Sequence, residues 1–189
     1  MQIPLFPLDV YLLPGGVSKL RIFEPRYIKL VKIAATNKYG FGLCMSIDNT
    51  ICHFGTRVVI TDFDSLPDGV LSITIQAVEL FLIDDHWRDE DGLYLGRISS
   101  VPNWQSTDIN YTDVEIANSL KVLFQEHPDH ASYYPTPNFE DMTWVCQRWL
   151  EILPLEVNQK QWFMSRNDHT AALSFLHTVI DDNLQKNDP

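Results

Sequence analysis

Before Trp104 the apolar side chains come in short runs or at alternate positions, whereas after it they recur every third or fourth residue. A period of two belongs to strands and a period near 3.6 to helices, so the change divides the chain into a β-rich part, residues 1–103, and a helical part, residues 104–189. Ile3 to Leu8 reads as a first strand, placed at a sheet edge by Pro4 and Pro7, because proline has no N–H to give a ladder. Pro14-Gly15-Gly16 turns the chain. Val17 to Phe23 reads as a second strand with imperfect alternation: Val17, Lys19, Arg21 and Phe23 fall on one side, Ser18, Leu20 and Ile22 on the other. Glu24-Pro25 then starts a helix, since proline at the first helical position gives up only an N–H that has no intrahelical partner. Tyr27, Leu30, Val31 and Ala34 form its apolar stripe with Ile28 and Ala35 beside them, and Arg26, Lys29 and Lys32 lie opposite.

Asn37-Lys38-Tyr39-Gly40 ends that helix, and Phe41 to Ile47 returns as a strand. His53 to Ile60 is a further strand. Leu66-Pro67-Asp68-Gly69 is a turn between strand-like runs Arg57 to Phe63 and Val70 to Ile75. Val78 to Ile83 and Leu93 to Val101 form another pair, joined by a loop carrying Asp84, Asp85, Asp89, Glu90 and Asp91; its carboxylates lack the spacing of a calcium-binding loop. In the second part, Thr112 and Glu115 have capping-box spacing ahead of Ile116, Leu120, Leu123 and Phe124, and Pro128 stops that helix. His127 to Pro137 reads as a loop with Tyr133 and Tyr134 at its middle. A second helix starts near Asn138 with Met142, Val145, Cys146, Trp149 and Leu150 as its stripe, and Pro154 ends it. Val157 to Ser165 is a short helix, and Asp168 caps a last one striped by Ala172, Phe175, Leu176, Val179 and Ile180.

The ordered run Ile3-Pro4-Leu5-Phe6-Pro7-Leu8, the turn Leu13-Pro14-Gly15-Gly16 and Leu20-Arg21-Ile22-Phe23-Glu24-Pro25-Arg26-Tyr27 resembles the start of the LON domain, the amino-terminal substrate-binding region of Lon proteases. The Gly55-Thr56 strand, the Pro67/Gly69 hairpin and the stretch from Leu153 to Met164 extend the resemblance over nearly the whole chain, although Ala77 and Leu80-Phe81 stand where the family commonly has glycine and Arg-Phe. The resemblance implies an α+β fold: a β-rich PUA-like lobe with one inserted helix, then a helical bundle lobe. It gives Pro4, Pro7, Pro14, Gly15, Phe23, Glu24, Pro25, Tyr27, Gly55, Pro67 and Gly69 structural roles. It also implies polypeptide binding by a stand-alone LON domain, as an adaptor or regulator of proteolysis without Lon's ATPase and Ser/Lys protease domains.

Charge and composition narrow the classes. Hydrophobic residues make up 45% of a chain of net charge −11, which describes a folded protein and argues against a nucleic-acid backbone as partner. No apolar run reaches membrane-span length and the start lacks the pattern of a secretory signal, so the expected location is the cytoplasm. Against the acidic background, Lys19, Arg21, Arg26, Lys29, Lys32 and Lys38 stand close together with Glu24 as the one acid among them; a solvated face, contact with acidic segments of the chain, or a docking patch would each explain this.

The chemistry of catalysis is not written in the chain. No glycine precedes a lysine as a phosphate loop requires, and neither a G-x-S-x-G elbow nor an H-E-x-x-H helix occurs. Cys44, Cys52 and Cys146 form no CxxC pair, and Pro128 separates His127 from His130, so neither metal nor cofactor is expected. The expectation is a non-enzymatic binding protein whose partners are unfolded or exposed polypeptide, a protease or another protein; an enzyme with an interlobe cleft and a PUA-like RNA-binding module are the alternatives. A polypeptide receptor needs exposed apolar side chains, preferably by an open strand edge. Trp104, Tyr133 and Tyr134 fall in loops and, with Arg26, are the candidate contacts near an interlobe groove; core packing that anchors those loops is the plainer account of the three aromatics.

Overall fold

The computed structural model describes residues 1–186, with side chains through residue 179. Two units are distinct: Met1–Pro102 with Glu156–Ser165, and Asn103–Leu155 with the chain from Arg166 onward. A single cut near residue 103 does not anticipate the return of Glu156–Ser165 to the first unit. Ile180, expected in the last apolar stripe, lies outside the described side chains.

Six strands build the first unit: β1 (Gln2–Pro7), β2 (Val17–Ile22), β3 (Phe41–Ile47), β4 (Thr50–Ser65), β5 (Leu71–Arg88) and β6 (Tyr94–Val101). Their order is β2-β5-β4-β3-β1-β6, and β5 pairs again with β6, so β1, β3, β4, β5 and β6 close on themselves while β2 flanks the first half of β5. β5 is one long strand where the sequence suggested two, Val70 to Ile75 and Val78 to Ile83; register shifts against β4 and β6 let it serve both neighbours.

β1 is not an edge strand. It pairs with β6 over Gln2 to Leu5 and with β3 over Leu5 to Pro7, so the two ladders overlap at Leu5 alone. Pro4 and Pro7 each stand where one neighbour only is paired, which is how prolines are tolerated in a strand flanked on both sides. The edge falls to β2 instead, whose one partner strand among the described residues is β5.

Helix α1 (Pro25–Asn37) starts on Pro25, with Tyr27 and Ile28 N–H groups donating to Glu24 O, and buries Tyr27, Leu30, Val31 and Ala34. Ile28 and Ala35, which sit beside the stripe, are exposed. The stripe packs on Phe6, Leu12, Leu20, Ile22, Phe41 and Val58, a burial worth about 1.5–3 kcal/mol for each fully buried large side chain. Within the closed strands a second cluster forms around Leu5 and Phe81. A Cβ at Gly55 would lie 2.5 Å from the Phe81 ring and 2.6 Å from Leu43 O, which gives the family glycine its physical reason. Gly69 has φ +79° in the β4–β5 turn, a conformation glycine adopts without a Cβ clash.

The second unit holds α2 (Val114–Glu126), α3 (Pro128–Ala131), α4 (Met142–Ile152) and α6 (Thr170–Lys186), while α5 (Val157–Met164) belongs to the first unit, where Gln161 Nε2 donates to Phe54 O and Phe54 N–H donates to Gln161 Oε1, both at 3.0 Å. The capping box expected at Thr112 and Glu115 does not form: Thr112 lies in a 3-10 turn, and Asp113 takes the cap position with its carboxylate on His177 Nε2 at 2.9 Å rather than on a helix N–H. α4 begins at Met142 rather than near Asn138, because the Asp141 carboxylate accepts from both Thr143 N and Thr107 N at its start. Asp168 caps α6 as expected, accepting from Thr170 N at 2.9 Å.

Candidate functional site

The chemistry-bearing stretch of the first unit is the junction of β2 and α1. On β2 the buried side chains are Leu20 and Ile22, so Lys19 and Arg21 point outward, and Phe23, next in the alternation, is 70% exposed. These residues, with Phe6, Pro7 and Leu8 from the end of β1 and Glu24, Arg26 and Tyr27 from the helix start, line a groove with a cavity volume of about 460 Å³.

The groove has a rigid aromatic wall. The Phe6 ring stacks on Tyr27 with centroids 4.0 Å apart, and the Arg26 guanidinium carbon lies 4.8 Å from the Tyr27 centroid. Burial pushes the Tyr27 phenol above its ordinary pKa, partly countered by the neighbouring Arg26 charge, so the ring faces the groove neutral. Arg26 bridges to Glu24 at 2.7 Å, yet its Nε is buried with no acceptor among the described residues. An orphaned guanidinium donor costs free energy that a ligand carbonyl or carboxylate would recover.

The rest of the basic run is used differently. Lys29 reaches Asp89 at 2.7 Å and also Asp91, which answers the question of the carboxylate loop: it clamps α1 from within the same unit. Hydrogen bonding to Asp89, then to Asp91, holds the Lys29 ammonium well above its ordinary pKa. Arg21 pairs with Asp68 at 2.6 Å, but both side chains are more than half exposed, so the pair is worth little and exchanges readily. Lys19 and Lys32 form no ion pair among the described residues.

The four candidate contacts are divided between the two units. Arg26 stands in the first unit; Trp104, Tyr133 and Tyr134 stand in the second. Trp104 is 5% exposed, and its Nε1 donates to Arg166 O at 2.8 Å. Tyr134 is 8% exposed within a ring cluster of Phe124, His130 and Trp144, while Tyr133 is half-buried at its margin against His130. The Trp104 and Tyr134 rings are thus both buried within the second unit. Beside them Arg148, fully buried, makes two bonds to Glu151, at 2.7 and 2.8 Å, with its guanidinium 5.8 Å from the Tyr134 ring and 5.5 Å from Trp144.

Sequence reasoning did not single out Phe23 as an exposed ring, because the family pattern explains it as structural. The signal was available in the alternation: a phenylalanine on the same side as Lys19 and Arg21 cannot face the core with Leu20 and Ile22. A larger depression of about 780 Å³ over Tyr111, Val114, Glu115 and Val122 in the second unit is shallow, with Tyr111 94% exposed.

A mixed six-stranded sheet followed by helices, with an apolar and cationic groove at the first strand-to-helix junction, defines an α+β fold. The chain belongs to the ATP-dependent protease La (LON) substrate-binding domain family, matched over residues 2–182. Its structure is similar to a Lon N-terminal domain protein from Xanthomonas campestris, with a TM-score of 0.77, 28% identity, and coverage of 94% of this chain and 98% of that one. It also shares its fold with the N-terminal domain of Mycobacterium avium complex Lon protease, at a TM-score of 0.70 and 16% identity over 93% of this chain and 96% of that one. Comparison with curated protein sequences found no match. Among the described residues no helix is long and apolar enough to cross a membrane.

Proposed function

We propose that the groove between β1, β2 and α1 captures exposed polypeptide, and that the protein serves proteolysis as an adaptor or regulator, with no ATPase or peptidase activity of its own. The observation that carries this reading is Phe23: a large ring 70% exposed beside the orphaned Nε of Arg26, on a wall made rigid by the Phe6–Tyr27 stack. An apolar side chain of a client covers Phe23, and a client backbone carbonyl or carboxylate takes the Arg26 donor. Membership of a substrate-binding family supports the same assignment. Of the residues singled out from sequence, Arg26 stays in the contact, and Trp104 and Tyr134 serve the interior of the second unit.

Binding of fluorescein-labelled, reduced and carboxymethylated lactalbumin is the direct measurement. Phe23→Ala and Arg26→Ala are each expected to weaken it about fivefold or more, the range of a single anchor residue, with unchanged circular dichroism. Client affinity equal to the wild type in both variants would remove this site. The purified protein is also expected neither to hydrolyse ATP nor to cleave casein; turnover abolished by a single substitution in this chain would overturn the non-enzymatic reading.

A further inference from the structure

From Ser18 to Ile22 the outward edge of β2 has no second strand partner among the described residues, and its side chains show what that edge accepts. β2 hydrogen-bonds to β5 through Val17 to Ile22, and on its other side no strand is paired among the described residues. None of Ser18, Lys19, Leu20, Arg21 or Ile22 makes a backbone hydrogen bond to a loop among those residues either. Lys19, Leu20 and Arg21 of this strand line the same groove as Phe6, Pro7 and Leu8.

We propose that this edge takes up an extended client segment as an added strand, and that it selects segments in which acidic residues alternate toward an apolar one. The proposal rests on the polypeptide-capture reading and specifies its mode and client chemistry. The residues facing out along the edge are Lys19, Arg21 and Phe23, spaced two apart, so a paired strand meets cation, cation and aromatic ring on one face. A segment with two carboxylates and an apolar side chain at alternate positions is the complement. Arg26 adds a third cation to the groove lining against the single carboxylate Glu24, in a chain whose net charge is −11. At about 0.15 M salt the Debye length is about 8 Å, so these local cations govern an incoming acidic strand and the distant carboxylates are screened.

The same charges exclude a second copy of this chain. Edge strands are commonly guarded by lysine or arginine, which oppose themselves when two such edges meet. Antiparallel self-pairing of β2 brings Lys19 and Arg21 of the two copies into opposition, an unfavourable arrangement that an acidic client relieves. Arg21 is free to turn to a client because its pair with Asp68 is solvent-exposed at both ends.

The test uses a fluorescent nine-residue peptide carrying two glutamates and a leucine at alternate positions with threonine between them, together with its reversed sequence. One or other peptide is expected to bind the full chain about tenfold or more tighter than the version with lysine for glutamate, and Lys19→Glu/Arg21→Glu is expected to reverse that preference. The reversal itself shows that the double variant is folded. N-methylation of one alternate set of peptide amides is expected to abolish binding and methylation of the other set to spare it, since an added strand uses every second amide. Equal tolerance of both sets, no preference between glutamate and lysine peptides, or a concentration-dependent dimer in sedimentation that holds the edge would each overturn the proposal. If lactalbumin binding still falls in Phe23→Ala while the peptides show no discrimination, strand addition fails and polypeptide capture stands; if lactalbumin binding ignores both Phe23 and Arg26, the capture reading fails and takes the strand with it.

Discussion

In the first unit an exposed aromatic of the groove, Phe23, stands in solvent on a strand face that also carries Val17, Lys19 and Arg21; in the second, Trp104, Tyr134 and Trp144 turn inward, two of them around the buried guanidinium of Arg148. The same residue types thus have opposite uses, and the difference lies in what closes around them. Phe23 follows a strand whose alternation forces every second residue outward, and it is 70% exposed. The loop aromatics have several helices to pack against, and each finds a partner: Trp104 a carbonyl at Arg166, Tyr134 the Phe124 and Trp144 rings. Position in a loop says little about exposure when the loop spans a helical core. Position in the strand alternation says a great deal.

The sharpest way to break the comparison is at Arg148. Replacement by methionine leaves the Glu151 carboxylate, 8% exposed, without its bidentate partner, and is expected to cost about 3–5 kcal/mol in urea denaturation. Arg148→Met/Glu151→Leu is expected to recover most of that loss, because no buried charge is then stranded. A loss below about 1 kcal/mol in the single variant would show that the second unit is not organised around this pair.

The next contrast sets Trp104→Ala against Phe23→Ala. Removing a ring that is 5% exposed and hydrogen-bonded is expected to cost about 3–5 kcal/mol, whereas removing one that is 70% exposed is expected to change stability by no more than about 0.5 kcal/mol. Thermal unfolding of the two variants measures it directly. Comparable destabilisation by both would return Phe23 to the structural class that the family pattern assigns it.

The smallest effect is a pH dependence inside the first unit. Burial alone would raise the Glu79 carboxyl, but hydrogen bonds from Arg57 Nε at 2.6 Å and Ser100 Oγ at 3.0 Å, with the Arg57 charge, hold it below the ordinary carboxylate value. A folded-state pKa below the unfolded one contributes stability that is complete above the unfolded value and is lost as pH falls through the folded one. The stability difference between wild type and Glu79→Gln is therefore expected to be constant above about pH 5, at about 1 kcal/mol or less, and to shrink as the pH is lowered further. A difference that grows on acidification would contradict the assignment. By contrast the buried Cys44 and Cys146 thiols, pushed up to about 12 by burial, act as small apolar groups across this range.

Much of the architecture was legible in residue order. The change of hydrophobic period near Trp104, the Pro25 helix start, the buried stripe Tyr27, Leu30, Val31 and Ala34 and the Asp168 cap are local devices, each decided by neighbours within a turn or two, and each stands in the structure. The family pattern likewise lies in short ordered runs from Ile3 to Tyr27. What residue order could not decide were the relations that depend on partners far along the chain. Pro4 and Pro7 pointed to an edge, but edge status belongs to pairing with residues 42–44 and 94–97, and those partners place β1 inside and β2 outside. α5 follows three helices in sequence yet packs with the sheet, since Gln161 finds its complement in the Phe54 backbone. Gly55 could be recognised as a family glycine, but only the tertiary structure supplies the Phe81 ring that forbids a side chain there. The groove itself joins residues 6–8 to 19–27 across two strands that are not paired with each other among the described residues, and such a surface exists only once β1 and β2 have each chosen other strands to pair with.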